Sequence, residues 1–73
     1  KAIAFYDQGK YKEALEVLQK AVEVQNNFDE GYYWMGNIYK KLNKKDQAIE
    51  NYRKALFYDN DFIEARDSLK TLE

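Results

Sequence analysis

Residues 29–62 read DEGYYWMGNIYKKLNKKDQAIENYRKALFYDNDF. Moved back by 34 positions, this stretch falls on its own predecessor: Ala48, Glu50, Lys54, Ala55, Asn60 and Phe62 land on Ala14, Glu16, Lys20, Ala21, Asn26 and Phe28. Conservative pairs fill in around these identities: Phe5 with Tyr39, Leu15 with Ile49, Val22 with Leu56, Met35 with Leu69 and Ile38 with Leu72. Agreement concentrates on small and apolar residues and is weak among the charged ones. A fixed period of this size is the mark of stacked repeats, in which each unit buries its apolar face against the next.

Within that period the apolar spacing is helical. Residues 11–24 place Tyr11, Ala14, Leu15, Leu18, Ala21 and Val22 on one face, residues 28–42 place Tyr32, Met35, Ile38, Tyr39 and Leu42, and residues 45–58 place Ala48, Ile49, Tyr52, Ala55 and Leu56. Residues 62–72 add Phe62, Ala65, Leu69 and Leu72, and residues 1–8 read as the last turns of a helix begun upstream. Gly9 and Asn43 stand at helix ends, both types that tolerate the left-handed conformation. Asn27 with Glu30 and Asp61 with Glu64 resemble capping boxes. Connections this short make neighbouring helices antiparallel. Ala14, Ala21, Ala48, Ala55 and Gly36 allow approach at the near end of the ~8–10 Å interaxial range, with Tyr39 and Tyr52 filling space beside each crossing.

Composition narrows the function. The chain has 73 residues, no proline and no cysteine, so neither a disulfide framework nor a thiolate metal site is available. It also lacks histidine, the commonest general base and metal ligand. A net charge of −1, with the two signs interspersed, is not the basic footprint of nucleic-acid binding. No apolar run approaches the ~20 residues a membrane span requires. The first residue is Lys, which reads as a piece of a longer protein, and the lack of cysteine is compatible with cytoplasm.

Residues 29–62 resemble the tetratricopeptide repeat, a helix–turn–helix unit. Tyr32, Met35-Gly36 and Tyr39 stand where the first-helix signature falls, and Ala48, Tyr52 and Ala55 where the second-helix signature falls. Tyr32 replaces the family's leading Trp, and Asn26 and Asn60 replace its closing Pro. The resemblance implies an all-α, right-handed superhelical stack of antiparallel helix pairs. In it, residues 1–28 are a first repeat truncated at its N-terminal helix, 29–62 a complete second repeat, and 63–73 a capping helix or the start of a third.

The resemblance also implies that first helices line a concave groove. Its candidate binding residues are Tyr6, Glu30, Tyr33, Trp34, Asn37, Lys41, Glu64 and Asp67. Trp34 has two readings: a groove-facing anchor of the kind that dominates interfaces, or filling against the next helix near Ser68 and Thr71. Asn37 could address a peptide backbone through its amide. The family's best-known peptide readers clamp acidic chaperone tails with Lys, Arg and Asn; the corresponding places here hold Ile3, Trp34, Glu64 and Ser68. The expected partner is therefore a protein or peptide with an apolar or aromatic centre and basic character, and not an acidic tail.

Other function classes are weaker. Asp7, Glu13, Glu16, Asp46, Glu50 and Asp59 lack the pocket or partner that would tune a catalytic carboxylate, so no enzyme, cofactor or metal is expected. RNA reading by helical repeats is disfavoured by a sequence pI near 5.5. Self-association is the main alternative, through apolar surface left open around Phe5, Leu15 and Leu18.

Overall fold

The computed structural model describes residues 9–72. Four helices make up the described chain: α1 (Tyr11–Val24), α2 (Asp29–Lys41), α3 (Lys45–Tyr58) and α4 (Ile63–Leu72). The apolar spacing predicted α1 and α3 residue for residue, and overran α2 by one residue at each end and α4 by one at its start. The expected helix at 1–8 lies outside the described residues.

The helix ends show why those boundaries shift. Phe28, not Asn27, is the N-cap of α2, and no side-chain bond caps it. The capping box expected from Asn27 and Glu30 is therefore not formed; Asn27 instead accepts the Asp29 N–H through its backbone carbonyl at 2.9 Å. Ahead of α4 the carboxylate in use belongs to Asp59, which accepts the Asp61 N–H at 3.1 Å. Gly9 and Asn43 both take the conformation expected of them, and at Asn43 it ends a helix. Asn43 has φ 61° and Gly9 φ 77°, both left-handed. Beyond α2, Lys44 N–H reaches back to the Tyr39 carbonyl at 2.8 Å and Asn43 N–H to that of Lys40 at 3.1 Å. That paired pattern is the Schellman motif, which satisfies the carbonyls a helix end would otherwise leave open.

The repeat extends to hydrogen bonds that sequence identity does not reveal. The Asn26 carbonyl accepts from the Tyr32 hydroxyl at 3.1 Å, and the Asn60 carbonyl from Arg66 Nη2 at 2.6 Å. Residues 26 and 60, like 32 and 66, are 34 positions apart, so the two units tie the same corner with different chemistry. Tyr32 also stacks on Tyr58, ring centroids 5.6 Å apart, with Lys54 Nζ 5.8 Å from its ring centre. Burial, then the neighbouring Tyr58 phenol, pushes the Tyr32 pKa above its ordinary value.

Two apolar clusters hold the stack together. Ala14 and Leu18 of α1 meet Met35 and Ile38 of α2, while Ala48, Tyr52 and Ala55 of α3 meet Ala65 of α4. Tyr32 and Tyr39 pack against both clusters, which joins them across the boundary between repeats. Each large apolar side chain so buried stabilises the fold by about 1.5–3 kcal/mol.

Two packing expectations need correction. Tyr52 does not fill space beside a crossing: its ring lies directly on Gly36, where a Cβ would come within 2.7 Å of it. Nor is Leu18 open to solvent. Leu18 is only 5% exposed and so offers no face for self-association, Leu15 is half-buried against the first cluster, and Phe5 lies outside the described residues.

Candidate peptide-binding face

α2 supplies most of the candidate residues and α4 the rest, while Tyr6 lies outside the described residues. Glu30 is exposed in the first turn of α2 and Lys41 exposed in its last. Eleven residues at 1.5 Å each separate them by about 16 Å. Acid at the start and base at the end also offset the helix macrodipole, so these charges stabilise α2 whatever else they do. Glu64 is exposed in the first turn of α4, and Asp67 is exposed one turn on.

Adjacent in sequence, Tyr33 and Trp34 lean in different directions. Trp34 is half-buried and packs on the α1–α2 cluster. Tyr33 is half-buried on the α3–α4 cluster, its ring centre 5.0 Å from that of Phe62 and 6.0 Å from that of Tyr52. The two rings meet edge to face at 5.4 Å and 70°. On the α4 side, Tyr33 fills the space between helices with Phe62 as its partner. Phe62 was legible only as a core residue; its repeat relation to Phe28 gave no hint of this contact. The Thr71 hydroxyl is turned back on its own helix, donating to the Ser68 carbonyl at 2.6 Å.

Asn37 is half-buried, and its Oδ1 accepts a hydrogen bond from the Tyr52 hydroxyl. Gly36 seats the Tyr52 ring and Asn37 holds its tip, so two consecutive α2 residues position one α3 side chain. That oxygen is thereby engaged in the fold, and the other end of the amide is an NH2, a donor group. The face therefore combines two partly accessible aromatic rings, a donor amide, carboxylates at the start of both helices and a lysine at the far end.

Known sequences and structures agree with this architecture. The pattern described as "TPR repeat" matches residues 3–43, and that described as "Tetratricopeptide repeat" matches residues 29–66. No curated protein matches the chain. Among solved structures, one similar chain is the first TPR of Spaghetti (RPAP3) bound to the HSP90 peptide SRMEEVD, at 22% identity and a TM-score of 0.92. The likeness covers 97% of this chain and 56% of that one, so the present chain spans little more than half its length. With a 34-residue period, alternating helices joined across both units and two overlapping family matches, this chain belongs to the tetratricopeptide-repeat family.

Proposed function

We propose that this chain is a protein-interaction module that holds an extended peptide against α2 and α4, with Trp34 as the anchor. The observation carrying this reading is the half-buried indole of Trp34, braced edge-on by Tyr33, on a helix pair whose N-terminal halves expose Glu30, Glu64 and Asp67. A partly accessible indole on a rigid helix offers a large apolar contact at little entropic cost, the usual character of an interface hot spot. The three carboxylates favour a peptide that carries Lys or Arg beside an apolar or aromatic residue. Lys41 and the Asn37 amide orient it, the first by charge and the second by donating to a backbone carbonyl. The reading is non-catalytic, as the family's fold is an interaction fold, and it involves no cofactor, nucleic acid or membrane.

The similar Spaghetti domain was solved with an acidic peptide. Here Glu64 and Trp34 stand where a cationic clamp would be needed, so the same peptide is expected to bind poorly. Calorimetric titration with SRMEEVD should give no measurable heat of binding. A peptide of equal length with a central aromatic residue flanked by lysines should bind, and Trp34→Ala should weaken it about 30-fold, equivalent to ~2 kcal/mol, with the helical circular dichroism unchanged. Micromolar affinity for SRMEEVD overturns the exclusion of acidic tails, and an affinity for the basic peptide indifferent to Trp34→Ala overturns the anchor.

A further inference from the structure

The solvent side of α3 carries a second surface that the peptide-binding reading does not use. Asp46, Ile49, Glu50, Arg53, Lys54 and Phe57 follow one helical face and line an open hollow of about 570 Å³. Phe57 is 78% exposed and is set edge-on to Tyr58, ring centres 5.0 Å apart. Ile49 is half-buried but belongs to neither apolar cluster, whereas its repeat counterpart Leu15 packs on the first. The counterpart of Phe57 is Glu23, so an aromatic ring stands here where the preceding unit places a charge.

The charges on this face are segregated along its length. Asp46 and Glu50 occupy the N-terminal half and Arg53 and Lys54 the C-terminal half. On α1 the equivalent positions hold Lys12, Glu16, Gln19 and Lys20, where the signs are mixed. A face that is acidic at one end and basic at the other is complementary to itself when turned end for end. A two-fold axis across α3 sets each carboxylate pair against the cations of the other copy. It also opposes the two helix macrodipoles and brings Ile49 and Phe57 under cover.

We infer that the outer face of α3 is a homodimer surface, pairing antiparallel with α3 of a second copy. One helix face is small beside the ~800 Å² per partner of a standard interface. The association is therefore weak and concentration-dependent, with a dissociation constant on the order of 100 µM.

The charge arrangement supplies its own test by sedimentation equilibrium of the whole chain. Wild type should dimerise across the 10 µM to 1 mM range. The double variant Asp46→Lys/Glu50→Lys makes the face wholly basic, and Arg53→Glu/Lys54→Glu makes it wholly acidic. Each alone should be monomeric, and an equimolar mixture should form heterodimers at least as tightly as wild type. Restored pairing in the mixture also shows that both variants fold. A wild type monomeric at 1 mM overturns the inference, as does association that survives in either variant or a mixture that fails to pair. Trp34→Ala should leave dimerisation unchanged, so this surface and the peptide-binding face stand or fall separately.

Discussion

A Cβ at position 36 would stand 2.7 Å from the Tyr52 ring, which is wholly buried and held at its hydroxyl by Asn37. Burial and the bond at its hydroxyl fix the ring in place, so Gly36→Ala should destabilise the protein by about 1–3 kcal/mol despite the better helix propensity of alanine. A lowered urea midpoint at unchanged slope is the expected readout. Gly36 is recognisable in the sequence as a close-approach residue, but which side chain approaches it is not, because Tyr52 lies on another helix. Tyr32 gives a pH prediction by similar logic. Burial and the Tyr58 phenol raise its pKa, so the stabilisation is complete below the ordinary tyrosine value and is lost as pH rises through the higher folded one. Stability should fall in alkali above about pH 10. In ultraviolet titration, Tyr32→Phe should remove a late-ionising component from among the seven tyrosines.

At the scale of helices and turns, most limits were visible beforehand. Amphipathic spacing is a local property, so α1 and α3 match their predicted spans, and the left-handed conformations of Gly9 and Asn43 follow from residue type. Starts were less legible. Before α2 and α4 several Asn and Asp residues crowd the turn, and which of them accepts an N–H depends on the angle at which the chain enters, hence on packing. Asn43 also gives a sharp test of the Schellman turn. With φ 61°, Asn43→Gly should change stability by no more than about 0.5 kcal/mol, whereas Asn43→Val forces a β-branched residue into the left-handed region and should cost about 1–2 kcal/mol. For a chain of this size the second change should lower the melting temperature by roughly 4–16 °C. The corner at Asn26 and Asn60 shows the limit of identity-based reading. Tyr32 and Arg66 share nothing chemically beyond a long side chain with a donor at its end, yet they satisfy equivalent carbonyls.

For the molecule as a whole, the repeat does not imply two independent units. Tyr32 and Tyr39 pack on both apolar clusters, so neither cluster can open without exposing rings that the other also covers. Unfolding should therefore be a single transition. Trp34 fluorescence, which reports the first cluster, and circular dichroism, which reports all helices, should give coincident denaturation curves. An earlier loss of fluorescence would mean that the α1–α2 cluster melts on its own.

What the chain determined by itself is everything that repeats or is local: the 34-residue period, the helical faces, the left-handed positions, the small residues that permit close crossings and the mixed, near-neutral charge. Only the folded arrangement decided that Trp34 leans on the first cluster while Tyr33 reaches Phe62, that Asn37 holds the Tyr52 hydroxyl, and that Leu15 packs on the first cluster while Ile49 joins neither. The reason is physical. Periodicity identifies the face of a helix that is apolar, but the neighbour a side chain meets depends on contacts between residues far apart in the chain, fixed when the helices dock.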